Sequence, residues 1–285
     1  MFISSSRFIL KTCGTTTPLL CLPLLMSMVQ EYSGFDNVQD LFYSRKNFKR
    51  PELQRTPHRS FQEEAEILNQ FFPGKGGRAY CLGSFNGDDC WYLYYFSAAS
   101  IKRKLMARQN LPSNRSIKSK NENDQTLEVL MTGVDPKKMV NFYKENCPSA
   151  SEATKVSGIG NLIPGMTIDD FLFDPCGYSM NGVSKTVPGG YMTIHVTPEP
   201  EFSYVSFETN IHHKNYKDLI KRVVKLFGPK QFVVTFFSSE GKPFIEFEED
   251  QTERSYYDDY YVEDLQVCRL PGYDLTYALF NRFPS

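Results

Sequence analysis

Apolar and polar residues follow two different periods along the chain, and each period predicts one kind of secondary structure. Residues 192–197 alternate between apolar and polar side chains, which is the pattern of a half-buried strand. Residues 216–227 place apolar side chains at helical spacing, and Gly228-Pro229 follows as a stop signal. Residues 60–72 also read as a helix, because Ser60 and Glu63 form a capping box in front of one apolar face.

The order of the predicted elements favours an α+β fold with antiparallel sheets, because strands come in runs separated by single helices. The segment 172–182 is rich in glycine, proline and asparagine, and it is interpreted as a tight, irregular turn. Pro198 and Pro200 flank Glu199, which is therefore predicted to lie on a corner or bulge after the strand that ends at Thr197. Further helices are predicted over 19–30 and 136–143. The remaining predicted strands are 7–12, 42–48, 80–82, 91–96, 124–131, 202–207, 231–237 and 275–280.

Composition excludes several classes of protein. The 285 residues are 41% hydrophobic and 23% charged, which is too apolar for a disordered chain. The net charge of -1 provides no overall electrostatic attraction to nucleic acid or to an anionic membrane, so neither partner is expected. Seven cysteines without a CxxC pair indicate reduced thiols in the cytoplasm rather than disulfides or a structural metal site.

The N-terminal apolar stretch does not have the pattern of a signal peptide. Pro18 and Pro23 interrupt it, and no clean small-residue cleavage site follows Met26. No uninterrupted apolar run approaches the roughly 20 residues of a membrane-spanning helix.

Two segments are strongly biased in charge. Residues 101–120 hold seven Lys/Arg and no acid, and 101–123 is predicted to be a disordered insertion rather than a nucleic-acid arm, since stacking aromatics are missing. Residues 246–264 hold nine acids against one arginine, and they are predicted to form an acidic surface segment.

Few residues suggest chemistry by themselves. There is no GxGxxG, P-loop, HExxH or GxSxG motif. Of the four histidines, His58, His212 and His213 are predicted to lie at the surface. His195 lies in the middle of a predicted strand, where a hydrogen-bonded core residue is the ordinary alternative to a catalytic one. Cys13 ends the first predicted strand beside Gly14, and it reads either as a small buried residue or as a displayed reactive group.

Four segments together resemble eukaryotic S-adenosylmethionine decarboxylases. They are FILKTCGTT at 8–16, YSGFD at 32–36 with YSRKNF at 43–48, LFDPCGYSMNG at 172–182, and IHVTPEPEFSYVSFETN at 194–210. The resemblance runs from Met1 to about Phe237 and is weaker in the acidic tail.

The resemblance implies one domain over residues 1–285, folded as a four-layer αββα sandwich of two antiparallel sheets. It implies decarboxylation of S-adenosylmethionine for spermidine and spermine synthesis. The family makes its own pyruvoyl cofactor by self-cleavage at a Glu-Ser bond, and the pyruvoyl carbonyl acts as an electron sink, so no metal is expected.

Five residues match functional positions of the family. Cys13 matches the acid that returns a proton to the decarboxylated carbon. Ser179 and His195 match the pair that assists self-cleavage, the hydroxyl at the ester intermediate and the imidazole as the base. Phe173 matches a ring that stacks on adenine, and Glu199 matches the carboxylate that binds the ribose hydroxyls.

A second set of residues matches the site at which some animal members bind putrescine as an activator. A buried acidic site suits a diamine, because buried carboxylates need a counter-charge. The matching polar residues are Asp124, Thr126, Glu128 and Glu208, and the matching aromatic walls are Phe42 and Phe237.

The sequence departs from the family at its start. The Glu-Ser-Ser stretch that supplies the pyruvoyl group would immediately precede Met1-Phe2, and Ser4, Ser5 and Ser6 come after that point. Three explanations compete: a truncated gene model or alternative start, an inactive regulatory subunit that pairs with a complete paralogue, or a product that does not fold. A homodimer is the other expected assembly.

Overall fold

The computed structural model describes residues 1–72, 76–84, 89–99, 101, 124–239, 257 and 259–284. The chain divides into two compact units. The larger unit contains Met1–Phe8 and Asn121–Ser285, and the smaller unit contains Ile9–Lys120. The single domain expected over 1–285 stays a prediction. The disordered insertion over 101–123 also stays a prediction, because residues 102–123 lie outside the described residues.

The larger unit is built on an eight-stranded sheet in which every pair of neighbouring strands is antiparallel. Its strands are β6 Gln125–Thr132, β7 Met166–Leu172, β8 Tyr178–Ser184, β9 Tyr191–Thr197, β10 Tyr204–Thr209, β11 Gln231–Ser239, β12 Tyr260–Leu270 and β13 Tyr273–Arg282. Their order across the sheet is β12-β13-β11-β6-β10-β9-β8-β7.

One face of this sheet carries the apolar core. Phe207, Met131 and Phe232 belong to a buried cluster that also contains Val223 and Phe227. The last two lie on helix α5 Tyr216–Phe227, and the described residues of this unit also form helices α3 Pro136–Met139 and α4 Ala150–Ser157. Because side chains alternate along each strand, the residues between these core positions lie on the opposite face.

Helix α5 shows how local sequence signals fix an element. The Asn215 side chain accepts a hydrogen bond from the Asp218 N–H at 3.2 Å, which caps the first turn. Gly228 ends the helix at φ 59°, a left-handed conformation that glycine adopts without steric cost. The helix predicted over 216–227 is confirmed, including its stop.

The smaller unit contains a three-stranded antiparallel sheet in the order β3-β5-β4, with bounds β3 Asp40–Lys46, β4 Gly77–Gly83 and β5 Cys90–Ser97. Helices α1 Leu22–Ser33 and α2 Phe61–Phe71 accompany it. Ser60 caps α2 by accepting from the Glu63 N–H at 3.2 Å, as predicted. Leu22 of α1, Leu68 of α2 and Phe96 of β5 share one buried cluster, so both helices pack on the sheet.

A buried ionic cluster in the smaller unit contradicts one prediction. His58, predicted to lie at the surface, is only 1% exposed. Its Nδ1 lies 2.8 Å from the fully buried Glu64, which also receives Arg45 Nε at 2.8 Å and the Tyr43 hydroxyl at 2.6 Å. Helix α2 places Glu64 among these groups, and a buried carboxylate requires such partners.

The α+β class with antiparallel sheets is confirmed, but several boundaries differ from the sequence prediction. The strand predicted over 7–12 is limited to β2 Phe8–Ile9, which pairs with β1 Phe2–Ile3. The supposed turn at 172–182 is wrong beyond Gly177, because Tyr178–Ser184 is strand β8 with buried Tyr178 and Met180 alternating with polar residues.

Most of the acidic surface segment predicted over 246–264 lies outside the described residues. Residues 246–256 and 258 lie outside the described residues, and Tyr260–Leu270 forms strand β12. In the part of the chain that the structure describes, no helix combines the length and apolar character needed to cross a membrane. The same residues contain no cluster of three or more His, Cys, Asp or Glu side chains arranged to hold a metal ion.

Candidate active site

A row of residues crosses four strands of the larger unit, on the face of the sheet opposite its core. Ser179 of β8 lies directly opposite His195 of β9 in the strand register. His195 is in turn opposite Ser206 of β10, and Ser179 is opposite Phe171 of β7. Directly opposed side chains in an antiparallel pair are neighbours, so the register brings a hydroxyl and an imidazole together. Both side chains are half-buried.

A short loop next to this row holds an aromatic ring at the surface. Phe173 follows β7, and its N–H donates to the Gly177 carbonyl at 2.8 Å. The Gly177 N–H donates to the Phe142 carbonyl at 2.9 Å, which ties the loop to the chain before α4. Gly177 has φ 106°, a conformation that side chains rarely adopt, so this tight loop depends on glycine. The Phe173 side chain is 43% exposed and is therefore available for stacking.

Glu199 lies in the turn between β9 and β10, at the end of the sheet where the Phe173 loop also lies. Its carbonyl accepts the Phe202 N–H at 3.2 Å, which confirms the predicted corner after Thr197. Its carboxylate is hydrogen bonded to the Cys176 thiol. Desolvation, followed by the charge and hydrogen bond of Glu199, raises the pKa of Cys176, so that thiol stays protonated and acts as a donor.

A second row on the same face is acidic. Glu208 of β10 is directly opposite Glu128 of β6, and Thr193 and Thr235 continue the row on either side. The Thr235 hydroxyl approaches Glu128 Oε2 at 3.5 Å. Like charges directly opposite each other destabilise an antiparallel pair unless cations or donors compensate.

Tyr191 links this acidic row to the N-terminal segment. Its hydroxyl donates to Glu208 Oε1 at 2.5 Å and is also hydrogen bonded to Thr126. The Phe2 ring packs on the Tyr191 ring with centroids 4.6 Å apart. Desolvation and the adjacent Glu208 carboxylate raise the pKa of Tyr191 well above 10.

Asp124 is held by three groups of the larger unit. Arg7 forms an ion pair with Asp124 Oδ2, and the Tyr273 hydroxyl donates to the same oxygen at 2.9 Å. The Ser239 hydroxyl donates to the Asp124 carbonyl at 3.0 Å. Asp124, one of the four polar residues predicted to bind a diamine, is thus already paired with Arg7.

The remaining predicted site residues lie in two places. Phe237 is half-buried on β11, opposite Thr126 in the register. Phe42 and Cys13 belong to the smaller unit, where Phe42 is 40% exposed and stacks on Tyr95 at 4.7 Å. Cys13 follows β2 and its side chain is exposed, although neighbouring atoms desolvate the thiol enough to raise its pKa, while Lys11 acts in the opposite direction.

Sequence reasoning did not find several residues that line these rows. Ser206 and Tyr191 are recognisable only from the strand register, since their spacing to Ser179 and Glu128 in the sequence carries no signal. Phe171 could have been suspected, because it is an aromatic residue two positions before Phe173 and directly follows Asp169-Asp170. Arg7 belongs to the N-terminal strand pattern and gave no indication of pairing with Asp124.

Comparison with known proteins identifies the family. Residues 1–281 match the family model described as adenosylmethionine decarboxylase, so the match extends beyond Phe237 into the C-terminal strands. The S-adenosylmethionine decarboxylase proenzyme of Drosophila melanogaster is 49% identical over 282 residues, which cover 99% of this chain and 78% of the fly protein. The proenzyme of Xenopus laevis is 50% identical over 240 residues, which cover 84% of this chain and 65% of the frog protein.

The fold also matches a solved structure. The Trypanosoma brucei AdoMetDC-delta26 monomer superimposes with a TM-score of 0.71 over 99% of both chains, at 24% sequence identity. The family match and the curated relatives place the chain among the carbon–carbon lyases of the decarboxylase class. The chain belongs to the adenosylmethionine decarboxylase family.

Proposed function

We propose that this chain carries out pyruvoyl-dependent decarboxylation of S-adenosylmethionine and supplies the product to spermidine and spermine synthesis. The observation that supports this most directly is the register that sets Ser179 opposite His195, beside the Phe173 loop and the Glu199 turn. A hydroxyl, an imidazole, an exposed ring and a carboxylate thus lie on one part of one sheet. These groups suit acid–base chemistry on a nucleoside substrate.

The nucleoside part of the substrate is assigned to the Phe173 loop and the Glu199 turn. The exposed Phe173 ring offers a flat apolar face to an adenine, and an aromatic face also attracts the sulfonium charge. The Glu199 carboxylate can accept hydrogen bonds from both ribose hydroxyls. The Cys176 thiol, kept protonated beside Glu199, holds that carboxylate in place.

Proton transfers are assigned to three side chains. Ser179 donates a hydrogen bond during self-processing, and His195 accepts the proton that is removed. Cys13 returns a proton to the substrate carbon after carbon dioxide departs. Because the pKa of Cys13 is raised, its thiol is protonated at neutral pH and can donate, and this capacity is lost as the pH rises through that pKa.

A pyruvoyl group supplies an electron sink for the decarboxylation when it is present. The donor set of the larger unit fits such a carbonyl group, because the Ser179 hydroxyl and the His195 imidazole are groups that bind and exchange protons around an oxygen atom. The chain's own contribution is to bind the substrate, orient it and place these protons.

The acidic row is assigned to a diamine activator such as putrescine. Glu128 and Glu208 face each other across adjacent strands, and Thr126 and Tyr191 provide hydrogen-bonding groups beside them. Phe237, opposite Thr126, is the proposed aromatic wall. The assignment of Phe42 stays a prediction from the sequence. An ammonium group relieves the repulsion between the two glutamates.

The proposal is tested with S-adenosylmethionine labelled at its carboxyl carbon, by measuring the labelled carbon dioxide released. Cys13→Ala is expected to lower turnover about 10²- to 10⁴-fold, because a positioned proton donor is lost. Cys268→Ala, which removes a half-buried thiol on β12, serves as the matched control and is expected to leave turnover unchanged. Equal loss in both variants would contradict the role of Cys13.

Substrate binding is tested separately by calorimetry. Glu199→Gln is expected to raise the Kd for S-adenosylmethionine about tenfold or more, since a charged acceptor is removed. Glu201→Gln in the same turn is exposed and is the control.

A non-catalytic regulatory subunit is the alternative, and the same assay distinguishes it. It would release no labelled carbon dioxide by itself and would raise the turnover of a complete paralogue when the two are mixed.

A further inference from the structure

Two exposed aromatic rings lie side by side at the end of strand β7. Phe171 is 59% exposed and Phe173 is 43% exposed, so both rings present much of their surface to solvent. Their centroids are 4.8 Å apart and their planes meet at 67°, which is an edge-to-face arrangement. Exposed large apolar side chains in contact with each other mark a surface that a ligand can cover.

The two rings are anchored in different ways. Phe173 is fixed through its backbone by the hydrogen bond to Gly177, and a Cβ at Gly177 would lie 3.6 Å from a Phe173 ring carbon. Phe171 is fixed by the sheet, because it is a strand residue directly opposite Ser179. It therefore ends the row that continues through His195, and it joins that row to the Phe173 loop.

We propose that Phe171 is a specificity-determining residue for the purine ring of the substrate, an inference that rests on the proposed nucleoside site. An edge-to-face contact fixes the ring plane of Phe173, because the positive edge of one ring lies on the negative face of the other. A base stacked on Phe173 has Phe171 alongside, and a two-ring purine gains more contact there than a one-ring pyrimidine. Phe171 thus orients Phe173 and adds a lateral wall to the site.

The experiment measures binding, which requires no turnover. The Kd values of 5′-methylthioadenosine and 5′-methylthiouridine are determined by calorimetry for the wild-type chain and its variants. Phe171→Ala is expected to weaken binding of the purine ligand about 3- to 10-fold and to affect the pyrimidine ligand less. Phe171→Tyr keeps the ring and is expected to stay within about twofold of wild type.

Val183→Ala is the matched control, because Val183 is 50% exposed and lies on β8, the strand that pairs with β7. It is expected to leave both Kd values unchanged. The double variant Phe171→Ala with Phe173→Ala completes a cycle. If Phe171 acts through Phe173, its removal costs less affinity once Phe173 is absent.

The outcomes separate this inference from the proposed function. Loss of purine affinity in Phe173→Ala with no change in Phe171→Ala overturns the role of Phe171 and leaves the nucleoside site intact. Equal weakening of both ligands by Phe171→Ala also overturns it, because a merely structural role would not discriminate between bases. Absence of purine binding by the wild-type chain overturns the nucleoside site itself, and this inference with it.

Discussion

The phenol of Tyr191 is buried between a carboxylate and a hydroxyl, so its ionisation is coupled to folding. Its pKa is raised well above 10 by desolvation and by Glu208. Above about pH 10 the unfolded chain releases this proton while the folded chain keeps it. The unfolded state then binds fewer protons, and the free energy of unfolding falls as the pH rises.

Tyr191→Phe is therefore expected to flatten the decline in stability between about pH 9 and about pH 12. The measurement is the free energy of unfolding from urea titrations across that range. Tyr32→Phe is the control, because that side chain is 76% exposed. An unchanged slope in Tyr191→Phe would show that other groups cause the alkaline loss.

The burial of Glu64 leads to a second prediction about the free energy of unfolding. Arg45, 12% exposed, would keep its charge with no carboxylate if Glu64 became glutamine. Removing one partner of a buried pair is expected to lower the free energy of unfolding by about 3 kcal/mol. The single tryptophan, Trp91, is fully buried in the smaller unit, so its fluorescence during urea unfolding reports on this unit.

The exposed pair between Arg50 and Glu52 provides the control for Glu64→Gln. Its side chains are 68% and 57% exposed, and exposed pairs contribute little to stability. Glu52→Gln is expected to leave the Trp91 unfolding midpoint unchanged. A similar midpoint shift in both variants would mean that burial does not strengthen the Glu64 cluster.

At the scale of elements, the helix end at Gly228 gives a prediction about backbone conformation. Alanine at φ 59° is strained, and its Cβ would lie 3.2 Å from the Asp135 Cβ. Gly228→Ala is expected to destabilise the larger unit by about 1 kcal/mol or more, measured as a lower midpoint of chemical unfolding by circular dichroism. Gly160→Ala is the control, since its nearest new contact is an ordinary 3.7 Å to Thr154.

Two strands that sequence reasoning missed, β7 and β12, share a physical cause. Strands β7 and β12 are the two edges of the large sheet. Edge strands tolerate charged side chains, so Asp169-Asp170 in β7 and Glu263-Asp264 in β12 hide the alternation that revealed central strands such as β9. Helix α4 was not predicted because it has only eight residues, most of which are polar.

The candidate site could also be predicted only in part from the sequence. The residue types at Ser179, His195 and Glu199 could be assigned from sequence segments, and the turn at Glu199 followed from its flanking prolines. Their mutual placement could not be predicted from the sequence, because the register of β8 with β9 depends on the length and closure of the hairpin loop between these strands. Ser206 enters the site only through the register of β10 with β9, and Phe171 only through the register of β7 with β8.

At the scale of the whole molecule, the larger unit joins two distant parts of the chain, Met1–Phe8 and the segment from Asn121 onward. Arg7 and Phe2 provide side-chain contacts between these parts, to Asp124 and Tyr191 respectively. Asp124→Asn removes the charge that holds Arg7, so the N-terminal segment should open more often.

Tryptic cleavage after Arg7, followed by mass spectrometry, measures this opening. The cleavage rate in Asp124→Asn is expected to rise about tenfold, because limited proteolysis follows the population of the open state. Asp259→Asn is the control, since its pair with Arg282 is exposed at both ends. An unchanged rate after Arg7 would show that other contacts retain the segment.

The closed loop between β8 and β9 gives the molecule one place where added sequence is tolerable. The Ser184 N–H donates to the Gly190 carbonyl at 2.8 Å. This hydrogen bond closes the loop, so the residues between Ser184 and Gly190 protrude beyond the paired strands. An epitope tag or fluorescent peptide grafted at 186–189 would extend outward and leave the hydroxyl and imidazole facing each other. Deleting a single residue between Ser179 and the loop would instead turn the hydroxyl toward the apolar interior, and a deletion between the loop and His195 would turn the imidazole.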